Sequence, residues 1–183
     1  MKKYAITFLL LCSVLFSGYR KPEEYVIESE QNAYLHNNLG LMYIQERAYY
    51  PATQEFKIAI SLSPDVQASA VFYNNLGECY MKLGQPDMAR DCFERALRQF
   101  SLNFRYYKNL AECYYQLGLA DDQIQRSYND PNPLGMILRG LLLEQKGQTS
   151  DAITVLDEFV AKEPDLIISS AVRQYIRQLV SKI

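Results

Sequence analysis

The chain of 183 residues holds a single histidine, His36. It has no second imidazole with which to hold a metal, and no Ser-His-acid set is spaced to make it a catalytic base. No Gly-rich phosphate loop or paired-His motif is present, and the carboxylates are scattered as they are on solvated helix faces. Three of the four cysteines lie beyond the N-terminal apolar run. Cys79 and Cys113 have matching contexts, Glu78-Cys79-Tyr80 and Glu112-Cys113-Tyr114, and read as small buried core residues. On neighbouring helices roughly 8–10 Å apart they are too distant to bridge. Cys79 and Cys92 flank a turn at Gly84–Pro86, so pairing in an oxidising compartment and burial as free thiols both stay open. The residues read as non-catalytic, with no metal and no cofactor.

Amides are the polar groups that recur. Asn37-Asn38-Leu39-Gly40-Leu41-Met42-Tyr43 returns as Asn74-Asn75-Leu76-Gly77-Glu78-Cys79-Tyr80, and again as Lys108-Asn109-Leu110-Ala111-Glu112-Cys113-Tyr114. A weaker fourth copy is Leu138-Arg139-Gly140-Leu141-Leu142-Leu143. Asn38, Asn75 and Asn109 thus recur once per unit and are expected to form a ladder. A side-chain amide offers one acceptor and two donors, which matches a peptide backbone.

The elements that position this ladder follow from the rest of each repeat. After the signature come Leu83-Gly84, Leu117-Gly118 and Lys146-Gly147, with Gly supplying the turn. Next come small Ala52, Ala89 and Ala152, then large Phe56, Phe93 and Leu156; Gln123 and Ser127 depart from this in the third unit. Ala59 and Ala96 follow, then Pro64 and Pro164 near the unit ends. Apolar residues at three- and four-residue spacing give each helix one buried face. The pattern predicts pairs of helices that must stack, because one pair cannot bury its own apolar face.

Over residues 33–165 the chain resembles the tetratricopeptide repeat family. The resemblance implies an all-α helix-turn-helix repeat solenoid of about four units, a protein-interaction scaffold whose first helices line a concave groove. It places His36 where the family has a large packing residue. It places Asn37, Asn38, Asn74, Asn75, Glu78, Arg105, Lys108, Asn109 and Glu112 on the groove face as peptide-binding candidates, with Lys82 and Tyr115 beside them. Part of a carboxylate clamp is present in Asn75, Arg105 and Asn109, but Asn37 and Leu41 stand where such a clamp needs Lys and Asn. The fourth unit instead offers Leu134, Ile137, Leu138 and Leu141, an apolar stretch to be covered by a partner or by the final helix. Pro131 and Pro133, and the missing small and bulky residues of 120–130, predict a short and irregular second helix in the third unit. Residues 166–183, with Val172, Ile176, Leu179 and Ile183 on one face, predict a capping helix.

Lys2 and Lys3 precede an apolar run from Tyr4 to Phe16, the pattern of an export signal over residues 1–18. Tyr19 occupies the position where a lipoprotein signal needs its Cys, so the segment reads as a cleaved signal or a short anchor. Residues 19–32, with Pro22 and several Glu, read as a linker. Losing Lys2 and Lys3 takes the net charge from −2 to −4, which disfavours nucleic acid as a partner. An apolar content of 49%, with eight Gly and seven Pro, excludes disordered and collagen-like classes. The sequence therefore leads to an exported scaffold of the periplasm or cell envelope. Its partner is a protein or peptide held in the groove, and membrane contact comes only through the N-terminal segment. The alternative is a structural module that forms a homo-oligomer through its apolar fourth repeat.

Overall fold

The computed structural model describes residues 29–63 and 67–182; the export segment, most of the linker, Pro64 and Ile183 lie outside these. Among the described residues there are nine helices and no strand. They are α1 (Ser29–Gln45), α2 (Tyr49–Leu62), α3 (Ser69–Lys82), α4 (Pro86–Gln99), α5 (Phe104–Gln116), α6 (Ala120–Tyr128), α7 (Gly135–Gln145), α8 (Thr149–Lys162) and α9 (Ile167–Val180). The first eight form four successive helix-turn-helix pairs, and α9 ends the stack. Helix α1 begins at Ser29, so the last residues of the expected linker are helical.

Within the first, second and fourth pairs the helices touch at a fixed place. A Cβ added to Gly40 would lie 2.6 Å from Phe56, one on Gly77 2.5 Å from Phe93, and one on Gly140 2.6 Å from Leu156. The bulky residue of each second helix thus lies against bare backbone of the first. The third unit has Ala111 at the glycine register and small Ser127 at the bulky one. Ala52, Ala89 and Ala152 have no exposed surface, as their small size at the helix contact leads one to expect.

Contacts between units repeat as well. Ala33 and Ala59 of the first unit enclose Phe72 of the second; Ala70 and Ala96 of the second enclose Tyr106 of the third. The main core runs without a break from Ala52 to Leu179.

Every pair turns by the same device. The second residue past the helix has positive φ, and it and its successor donate to carbonyls of the last turn. Gly84, Gly118 and Gly147 take φ of 70°, 71° and 78°. In the first unit the same place is held by Arg47 at φ 58°, with Arg47 N–H donating to Ile44 O (2.9 Å) and Ala48 N–H to Tyr43 O (2.8 Å). A left-handed conformation costs a residue with a Cβ about 1–2 kcal/mol. Part of that relief is offset by glycine's greater freedom when unfolded. Arg47→Gly is therefore expected to raise stability by about 0.5–1 kcal/mol in urea unfolding.

The third unit departs as its sequence predicts. Helix α6 has 9 residues where α2, α4 and α8 have 14, and within it only Ala120 is buried. With α6 so short, α7 packs directly against α5. Helix α9 buries Val172, Ile176 and Leu179 and rests on α8, but it also reaches back to α5. Phe104 and Tyr175 meet with ring centroids 5.2 Å apart, and the Lys108 ammonium lies 5.3 Å over the Tyr175 ring.

Candidate functional site

Helices α1, α3 and α5 bring the recurring amides together, though not in the expected arrangement. Asn75 Nδ2 donates to Asn37 Oδ1 at 2.9 Å, and Asn109 Nδ2 donates to Asn74 Oδ1 at 2.8 Å. Each bond runs from the second amide register of one unit to the first register of the unit before it. Asn37, Asn74 and Asn75 are buried, at 5%, 1% and 3% exposure. Asn75 thus points at the neighbouring helix, where the ladder reading has it facing an open groove. The reason is local: the second register of one first helix faces the first register of the preceding one, and two amides satisfy each other there.

The exceptions obey the same rule. Asn38 is at the second register of the first unit, faces no earlier unit among the described residues, and is exposed. Lys108 is at the first register opposite Leu138, which has no amide, and it turns instead to Tyr175.

Glu78 anchors the second half of the network. Its carboxylate accepts from Asn74 Nδ2 at 2.9 Å, Asn109 Nδ2 at 2.7 Å and Arg105 Nη2 at 2.6 Å. Arg105 is 60% exposed but held by Glu78, so the cation a carboxylate clamp would use is already neutralised within the chain. Next to Glu78 a pocket of about 300 Å³ opens between α3 and α5, lined by Glu78, Met81, Lys82, Phe93, Asn109 and Glu112. Glu112 and Lys82 are exposed at its rim. Glu112 accepts from Gln116 Nε2 at 3.3 Å and forms no ion pair among the described residues. Exposed Tyr115 follows on the same helix.

His36 sits between the two helices of the first pair and adds a polar contact to its packing. Its Nδ1 lies 2.6 Å from Glu55 Oε2 on α2, and both side chains are partly exposed. Cys79, Cys92 and Cys113 are buried free thiols. Burial, with Glu78 nearby, pushes the Cys79 thiol up to about 12; burial does the same for Cys92, and takes Cys113 to about 11. All three are protonated at neutral pH and so are poor nucleophiles or ligands.

In the fourth unit Ile137 and Leu141 are fully or nearly buried, and Leu134 and Leu138 are half-buried against the same core as Val172, Tyr175, Ile176 and Leu179 of α9. The apolar surface available for self-association is thereby largely inside the protein. Among the described residues no helix is long and apolar enough to cross a membrane.

Models of the tetratricopeptide repeat match residues 70–100 and 135–165, the second and fourth units. No curated protein matches the sequence. Among solved structures, MamA is 21% identical, with 76% of this chain and 83% of that one aligned at a TM-score of 0.51. YrrB, described as a TPR protein with an unusual peptide-binding site, is 17% identical over 89% of this chain and 90% of its own, TM-score 0.51. Pseudomonas aeruginosa PilF is 18% identical over 82% and 74%, TM-score 0.52. These likenesses are of fold.

Proposed function

We propose that this chain of tetratricopeptide repeats is a non-catalytic interaction scaffold of the bacterial cell envelope, and that its first-helix face holds a segment of a partner protein. The observation that carries the reading is the pocket between α3 and α5. Its partly exposed Met81, over the buried Phe93, suits a side chain stem, and its mouth bears Glu112, a carboxylate with no ion pair among the described residues. The network around Glu78 fixes the pocket wall, so it is preorganised before a partner arrives. The chemistry favours a segment with a Lys or Arg whose stem packs on Met81 and whose charge meets Glu112. The fold supports a scaffold, because a stack of helix pairs presents a continuous surface from several units. Lys2, Lys3 and the apolar run that follows support export. The wider analogy, with small repeat lipoproteins that assist pilus or outer-membrane assembly, rests on fold and signal alone.

The test begins with proteins that co-purify with the full chain from native envelopes. Titrated against the segment so identified, Glu112→Lys is expected to bind about tenfold more weakly, a change of about 1.4 kcal/mol. Much of the change should be in the association rate, and it should shrink at high salt. Unchanged affinity in a variant that melts like the parent would place the partner elsewhere.

A further inference from the structure

Arg139 stands at the register that Leu39, Leu76 and Leu110 hold in the other three units, immediately before Gly140. It is 8% exposed. Its guanidinium lies 4.4 Å from the centre of the Tyr128 ring, yet its buried Nε has no hydrogen-bond partner and it forms no ion pair among the described residues. Glu158 acts on it electrostatically, but without a hydrogen bond to Nε or a close ion pair a buried cation is a costly substitute for leucine. The shortness of α6 leaves room for it: a pocket of about 420 Å³ lies between α6, the 129–134 turn, α7 and α8. Arg139, Lys162, Tyr128 and Met136 line it together with Pro131, Asp130 and Glu158.

We propose that this pocket is a second recognition site, away from the α3–α5 pocket, for the carboxylate of an acidic side chain in a partner protein. The Nε–H and an Nη–H along one edge of a guanidinium match the two oxygens of a carboxylate. Of the pocket's own acids, Glu158 is paired at 2.7 Å with Lys162 of the same lining while also feeling the Arg139 charge. One oxygen of Asp130 is taken by the turn, accepting from the Asn132 N–H at 2.9 Å. Phosphate suits the site less well, because the backbone donors of the turn are already used. Leu134 N–H donates to Asn132 Oδ1, and the N–H groups of Gly135, Met136 and Ile137 donate to the carbonyls of Asn132, Pro133 and Leu134. The Tyr128 face and the Pro131 and Met136 surfaces would receive the apolar neighbours of the acidic residue.

The Arg139 Nε–H gives its own proton–nitrogen correlation in NMR at mildly acid pH, identified by its loss in Arg139→Leu. Blocked tripeptides with a central glutamate or a central glutamine serve as probes, beside acetate and inorganic phosphate. The glutamate peptide is expected to shift the Nε–H signal saturably, acetate to shift it at higher concentration, and the glutamine peptide and phosphate to leave it unmoved. Glu112→Lys should retain the response, which separates this site from the α3–α5 pocket. Arg139→Leu should melt no lower than the parent, since leucine serves that register elsewhere. The proposal is overturned by equal responses to glutamate and glutamine, or by a response to phosphate alone. A signal unmoved by every probe but displaced in Asp130→Asn would show that the chain's own carboxylate serves Arg139. A markedly lower melting temperature for Arg139→Leu would make the arginine a structural residue.

Discussion

Gly77→Ala is expected to destabilise the protein by about 2 kcal/mol, although alanine is the better helix former by about 1 kcal/mol. The new Cβ would lie 2.5–2.9 Å from three atoms of the Phe93 ring, closer than carbon atoms approach. Phe93 is 1% exposed and surrounded by core residues, so the ring cannot turn away without displacing its neighbours. Urea unfolding of a double-mutant cycle isolates this cause. Phe93→Ala alone should cost about 3–5 kcal/mol. In that background Gly77→Ala should become stabilising, by about 0.5–1 kcal/mol. If alanine at 77 costs the same with and without the ring, helix packing at this point is looser than the geometry requires.

The second large effect sets two asparagines of the same repeat register against each other. Asn75→Ala removes the donor to Asn37 Oδ1 at a site 3% exposed, and should cost about 1–3 kcal/mol by leaving a buried acceptor unsatisfied. Asn38→Ala, at the matching place in the first unit, is exposed and should change stability by less than about 0.5 kcal/mol. Thermal and urea unfolding of the two variants decide the matter. Equal costs would mean that asparagine serves this register for its own helix and not as a bond between units. The same comparison bears on function. A loss of partner binding in Asn75→Ala has to be corrected for lost stability, whereas Glu112→Lys changes an exposed group.

Steric requirements were the legible part of the sequence. Gly and Ala at fixed registers announce a close helix contact, and Pro131 and Pro133 limit α6 in any fold. Bulky Phe56 and Phe93, however, expected to fill the space between neighbouring units, lie instead against Gly40 and Gly77 within a pair. Direction was harder to read than recurrence. The spacing of Asn38, Asn75 and Asn109 shows that they share a helix face. It does not show whether that face looks at solvent or at the next unit, because this depends on the angle between successive first helices. Arg139 was lost in a weak signature copy; the signal available was a charged residue at a register otherwise held by leucine. His36 and Glu55 lie on separate helices, and nothing local in the sequence announces their pairing.

Helix α9 changes the kind of object this stack is. In a plain solenoid each unit touches only its neighbours, so stability accumulates link by link and an end can fray independently. The contact of Tyr175 with Phe104 and Lys108 skips a unit, tying the last helix to the third pair across the whole of the fourth. Everything between becomes a closed circuit. Its members can be released only together, so amide exchange in α7 and α8 should report one shared opening with α9. The contact also joins residues distant in sequence, which places closure of this half late in folding relative to the local helix pairs.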